Sequence, residues 1–223
     1  MRLSVLALGM AMTGLGATAA QAQATFYTVT YVESVPKATR QAAVLLKSYV
    51  AAGKKDDGNV SFELIKGIHR PAWFAVVGSW RDQKAFEAHV AAAHSKDMNE
   101  KIKAHVAAPN DTRQHSALAV AAGKSGKAGV CAVTHVDVIP PQREPGTAAV
   151  KQLAEDSRNH AGNIRFDVFV QTNRANHFTV VECWKDRKAF DAHLGAKETK
   201  AFRDKLVTMT GALYDERLYR AVD

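Results

Sequence analysis

Two histidines at matching places are the first residues with chemistry to offer. His89 and His193 each fall three positions after a phenylalanine, Phe86 and Phe190, which on a helix puts them beside the buried stripe rather than opposite it. An imidazole with an ordinary pKa near 6.5 can work there as a general base, or sit at the core boundary bonded to a backbone carbonyl. A tryptophan precedes each histidine, Trp80 and Trp184; as core residues these need no function, although they can also wall a substrate pocket. Asn59 and Asn163 each follow a glycine; turn chemistry alone accounts for them, although they too can reach a ligand. Metal ligation is not expected, because His89 and His94 are five positions apart and one helical face needs the i, i+4 spacing. Nor do Cys131 and Cys183, the two cysteines, make a zinc motif.

The elements that must position these residues come in duplicate. An offset of 104 positions carries Gly58-Asn59-Val60-Ser61-Phe62-Glu63 onto Gly162-Asn163-Ile164-Arg165-Phe166-Asp167. It also carries the run from Trp80 to His89 onto that from Trp184 to His193, Val29 onto Val133, Pro36 onto Pro140, Arg70 onto Arg174 and Arg113 onto Arg217. No gap is needed from Phe26 to Leu118, so the chain is a tandem duplication. The repeat predicts domains at 25–120 and 130–223, joined by a flexible linker at 121–129 rich in Gly, Ala and Lys.

Each copy reads as βαββαβ, the ferredoxin-like order of an α+β fold. Residues 26–35 and 130–139 are β-branched and aromatic and end at proline, as a first strand does. Ala42, Leu45, Leu46, Tyr49 and Val50 recur at helical spacing. Val60, Phe62 and Leu64 alternate with polar residues, whereas 73–80 and 178–184 are almost continuously apolar. Asp82 and Asp186 stand where a helix N-cap is expected. That helix should break at Ser95 and Thr199, each capping a further helical piece, and 114–120 and 218–222 should close each copy as strand four. A sheet wet on one side alternates polar and apolar residues. Strand three does not, so its second face needs cover, and the linker holds the twin sheet at high effective concentration. The two copies are therefore expected to pack sheet to sheet as a barrel within one chain, an intrachain pseudo-dimer that can still oligomerise further.

Ahead of the repeat, Arg2 and the uncharged apolar stretch from Leu3 to Ala20 lead to Ala-Gln-Ala-Gln-Ala, the pattern of a signal peptide cleaved after Ala22 or Ala24. This predicts a periplasmic or secreted protein with no stable membrane insertion. The net charge is +8, but Lys and Arg are interspersed with Asp and Glu, and no basic stripe with interleaved aromatics suits nucleic acid. Export permits a disulfide. Pairing the centres of strands one and three of the second copy sets Cys131 within one position of Cys183, close enough to bond. A one-residue slip would separate them, and buried thiols are the alternative.

These motifs resemble the antibiotic biosynthesis monooxygenase domain of the dimeric α/β-barrel superfamily. The resemblance rests on Trp-x-Asp-x-x-Ala-Phe-x-x-His at Trp80–His89 and again at Trp184–His193. It implies a pocket between sheet and helices, and oxidation of an electron-rich quinol or phenol by O2 without metal, flavin or other cofactor. A deprotonated phenol itself reduces O2, so the protein supplies binding, orientation and a proton acceptor. On that reading His89 and His193 are the catalytic bases. Trp80, Trp184, Asn59, Asn163, Tyr31 and His135 contact substrate, and Arg113 and Arg217 hold the phenolate, unless they are simply exposed strand-four arginines. The haem-degrading branch uses an Asn, a Trp and a His where this chain has Tyr31 or His135, His89 or His193, and Asn99 or Arg203, so that constellation is absent. A non-catalytic barrel that binds a small aromatic molecule or serves as a scaffold is the alternative.

Overall fold

The computed structural model describes residues 26–124 and 126–222; the leader at 1–24 lies outside them. The first copy runs β1 (Phe26–Glu33), α1 (Thr39–Gly53), β2 (Asn59–Gly67), β3 (Trp73–Trp80), α2 (Gln83–Ala91), α3 (Ala93–Ile102) and β4 (Asp111–Ala119). The second repeats it as β5 (Val130–Asp137), α4 (Arg143–Arg158), β6 (Asn163–Gln171), β7 (Arg174–Trp184), α5 (Arg187–Gly195), α6 (Lys197–Val207) and β8 (Asp215–Ala221). Within a copy the strand order is β4-β1-β3-β2 or β8-β5-β7-β6, and β2–β8 and β4–β6 pairing joins the two into one closed eight-stranded barrel. The expected sheet-to-sheet packing therefore goes further: the twin sheets also share their edges, which leaves no open edge to aggregate.

The continuous apolar runs follow from burial on both faces. Phe74, Val76 and Trp80 pack under the helices of the first copy. Ala75 and Val77, the residues between them, point into the barrel against Val133, Phe169 and Val181 of the second. Tyr27 stacks on Phe169 across that interior with ring centroids 4.5 Å apart.

Local chemistry explains the ends of the helices. Asp82 and Asp186 cap α2 and α5, each accepting from the backbone N–H three residues on at 2.8 Å. The glycines of the turns into β2 and β6 have φ of +77° and +81°, and a Cβ on either would lie 2.6 Å from the Cβ of Ala85 or Ala189. Both the left-handed backbone and the close helix thus require glycine.

Two expectations need correction. The helix breaks at Ala92 and Ala196, whose backbones are extended (ψ 150° and 147°), not at Ser95 and Thr199. The hydroxyls of those two residues are not caps; they bond the rings of His94 and His193. Strand four also starts earlier, at Asp111 and Asp215. Its polar first residues hide it in the sequence, yet they pair with β1 and β5, as in Tyr31↔Asp111 and His135↔Asp215.

Cys131 and Cys183 are directly opposite in the β5–β7 register and form a disulfide, both nearly buried in the barrel wall. The first copy has Tyr27 and Ser79 there. Denatured, unreduced protein should titrate no free thiol, and reduction should cost roughly 2–4 kcal/mol of stability. Two free thiols per chain would refute the bond in solution.

Candidate functional site

The first copy gathers a hydrogen-bonded cluster between sheet and helices. His89, on α2, points down at β3 and is 1% exposed. Its ring centroid lies 4.5 Å from that of Trp80, 5.0 Å from Phe62 and 5.2 Å from Tyr49. Nδ1 is 2.6 Å from Asp56 Oδ2, and Nε2 is 2.6 Å from the Tyr49 hydroxyl. His94, on α3, bonds the same carboxylate through Nε2 at 2.9 Å. Because a carboxylate only accepts, the network assigns the His89 proton to Nδ1 and leaves Nε2 to accept from Tyr49. Burial depresses the His89 pKa, and the Asp56 carboxylate opposes that. Burial would raise Asp56, but hydrogen bonds and charge from the two histidines outweigh it and hold the carboxyl below its usual range. Burial also pushes the Tyr49 phenol up to about 12, so at neutral pH it keeps its proton.

The second copy keeps the positions and changes the parts. His193 stacks on Trp184, centroids 4.6 Å apart. Its Nδ1 faces His160 Nδ1 at 3.0 Å and Thr199 Oγ1 at 3.2 Å. The offset puts His160 on Asp56 and Glu198 on His94, so the acid and the histidine have exchanged places. Tyr49 becomes Leu153, which removes the phenol. Thr28 and Gly78 become Ala132 and Glu182. The Trp80 indole N–H donates to Thr28 Oγ1 at 3.2 Å, whereas that of Trp184 donates to Glu182 Oε2 at 2.6 Å. Burial raises Glu182 to about 8. Burial, then the nearby His160 and Arg203, lower His193 to about 3. The two lie 3.5 Å apart, and desolvation disfavours the charged form of each.

Tyr31, His135, Arg113 and Arg217 lie on the other face of the sheet, so the strand alternation splits the expected site in two. Tyr31 and His135, equivalent residues of the two copies, meet inside the barrel with Oη 2.8 Å from Nε2. Arg113 Nη1 donates to the same nitrogen at 2.7 Å. Burial, then the Arg113 charge, drive His135 down to about 3, which leaves it neutral and able to accept. Arg113 and Arg217 flank the Tyr31 ring at 5.2 and 5.4 Å. Arg217 and Arg70 also bracket Trp73 at 4.5 and 4.3 Å, in a groove of about 340 Å³. Arg113 and Arg217 are therefore partly sheltered interface residues, and neither shares a pocket with His89 or His193. Asn59 and Asn163 donate to the carbonyls of Ser61 and Arg165 at 3.2 Å, fastening the bulges that open β2 and β6.

Tyr49, Asp56 and Ser95, and likewise His160, Glu182 and Glu198, join the site without any sequence motif to mark them. The signal available was the acid–histidine exchange at 56/160 and 94/198, visible once the copies are superimposed. The expectation against metal ligands assumed one continuous helix through His89 and His94. The break at Ala92 removes that premise by turning His94 back to Asp56.

Comparison with known proteins fits this geometry. The profile of the family described as antibiotic biosynthesis monooxygenase matches residues 25–101 and again 129–205. The chain belongs to the antibiotic biosynthesis monooxygenase family. YcnE of Bacillus subtilis (strain 168), provisionally named a monooxygenase, is 32% identical over 59 residues, which is 26% of this chain and 62% of YcnE. A crystal structure from Fusobacterium nucleatum, also provisionally titled a monooxygenase, aligns with TM-score 0.79 at 16% identity, covering 90% of this chain and 94% of that one. One titled an anthrone oxidase-like protein aligns with TM-score 0.70 at 13% identity, covering 89% and 92%. At such identities these structures speak for the shared family fold.

Proposed function

We propose that the protein is a monooxygenase oxidising a quinol or phenolic aromatic with O2, and that the first copy carries the reaction. The observation that supports this most is the Tyr49–His89–Asp56 chain, with both hydrogen bonds at 2.6 Å. A phenolic substrate passes its proton to the Tyr49 oxygen as Tyr49 passes its own to His89 Nε2. Asp56 stabilises the imidazolium that forms, as general-base chemistry requires. The phenolate then reduces O2. One oxygen atom enters the product and the other leaves as water, with all four electrons drawn from the substrate. Tyr49 lies one helical turn from Leu45, which with Arg40, Gln41, Val44, Lys101 and His105 lines an open surface groove of about 590 Å³ between α1 and α3. Its apolar floor suits an aromatic ring, and its cations suit the developing anion.

The second reading, a non-catalytic ligand-binding or scaffold barrel, draws on how tightly rings enclose His89 and His193, both nearly buried. Oxygen uptake by purified protein over a panel of hydroquinones and polycyclic phenols separates the two. Catalysed uptake with at least one substrate is expected. A folded barrel that consumes no oxygen with any of them leaves the second reading. We further propose that the chain is exported. The disulfide supports an oxidising compartment, and the thiol titration above tests it on protein taken from the native cell.

A further inference from the structure

We propose that Asp56, His89 and His94 bind one divalent first-row transition-metal ion through a carboxylate oxygen, Nδ1 and Nε2 respectively. These three donor atoms all lie within 4.8 Å of one another. Two imidazoles and one carboxylate suit zinc, iron, cobalt or nickel, and poorly suit magnesium or calcium, which take oxygen donors. The set is also reachable. The side chains of His94 and Asp56 are 26% and 20% exposed, while that of His89 closes the inner end.

An ion held at about 2.0–2.2 Å from each donor separates the donors to roughly 3.3 Å. Asp56 Oδ2 now stands 2.6 Å from His89 Nδ1 and 3.0 Å from His94 Nε2, and the two ring nitrogens are no more than 4.8 Å apart, so a modest shift of the solvent-side Asp56 and His94 admits it. The far ring nitrogens are already provided for. His89 Nε2 faces Tyr49 Oη at 2.6 Å, and His94 Nδ1 faces Ser95 Oγ at 3.3 Å. On binding, each N–H donates to its hydroxyl oxygen, the outer-shell support that ligating histidines commonly have. Both histidines change tautomer when this happens. His89 Nε2 then carries a proton and can no longer accept one, so a bound ion also withdraws the base invoked above. The binding itself does not rest on that reading.

The duplication supplies a control inside the same molecule. Positions 160, 193 and 198 hold His, His and Glu, the same ligand types with the acid and one histidine exchanged. There His160 stands between its partners, with Nδ1 turned to His193 at 3.0 Å and Nε2 3.7 Å from Glu198. Its two nitrogens face different partners, so the donors do not converge on one point.

The test is equilibrium dialysis of the untagged, chelator-stripped chain against micromolar zinc, with cobalt(II) absorption as a second reading of the ligand field. One ion per chain is expected. His94→Gln and Asp56→Asn should each weaken it at least about 10-fold, while Glu198→Gln leaves it unchanged. Zinc should raise the melting temperature of the parent and not that of His94→Gln, a side chain exposed enough for the variant to fold. No bound zinc, or equal binding by His94→Gln and the parent, overturns the site; the latter result would trace the metal to other histidines. Oxygen uptake plays no part in these readings, so their failure and that of the monooxygenase proposal are separable.

Discussion

His89→Ala is expected to lower quinol-dependent oxygen uptake by about 10²- to 10⁴-fold, the usual loss with a general base, while His193→Ala changes it little. Only His89 combines an accepting Nε2, a phenol to relay through and a carboxylate to hold the resulting charge. His193 has no phenol at the Tyr49 position, and burial has made it the weaker base at about pKa 3. Asp56→Asn tests positioning separately. Loss of the carboxylate removes what props up the His89 pKa, so the variant should lose turnover and shift its acid limb to lower pH. The sign follows from the base being active only when neutral. Activity should fall as pH drops through the His89 pKa, which lies below 6.5 in the parent and lower still in Asp56→Asn. Rates measured from pH 4 to 8 decide it. Equal losses in His89→Ala and His193→Ala would spread the chemistry over both copies, and unchanged rates in the double variant would remove histidine from the mechanism.

The duplication made most of the fold legible. A gapless offset ties every element to a twin, and the doubly apolar strand three predicts a second sheet against the first. Side-chain alternation within strands was also readable, yet its consequence for the site was missed. Tyr31 and Trp80 are on opposite faces of one sheet, so a list assembled by residue type mixed two places. Asp56 and His94 escaped notice for a different reason. Their partnership depends on an extended residue at Ala92, and alanine, the best helix former, gives no local sign of a break. Glu182 escaped because a carboxylate inside an apolar run is legible only once its indole donor is placed.

Glu182→Gln is expected to stabilise the protein at pH 8 and not near pH 4.5. The carboxyl is buried beneath α5, with Trp184 Nε1 donating to it at 2.6 Å and His193 Nε2 lying 3.5 Å away. Burial drives its pKa from 4.5 to about 8, Glu216 adds to the rise, and the Trp184 hydrogen bond and the Arg203 charge offset part of it. Below pH 4.5 the folded and unfolded chains both hold the proton, and no penalty arises. Above it the unfolded chain releases the proton while the folded chain keeps it. Stability then falls by about 1.4 kcal/mol per pH unit until the folded pKa is passed, roughly 4 kcal/mol by pH 8 on that slope. Glutamine is nearly isosteric. Its carbonyl accepts from the Trp184 indole as the carboxyl oxygen does, and it has no proton to lose. Depression of His193 to about 3 gives the opposite slope, with stability lost as pH falls from 6.5 toward 3, but it is common to both proteins and cancels in their difference. Urea unfolding at pH 5, 6.5 and 8 should therefore show a gap between variant and parent that widens steadily with pH. If the pair were instead an ion pair, the substitution would strand a charged imidazole in the core and destabilise the protein most at low pH. A gap that shrinks with pH, or a variant weaker than the parent at pH 8, would establish that arrangement and refute the neutral one.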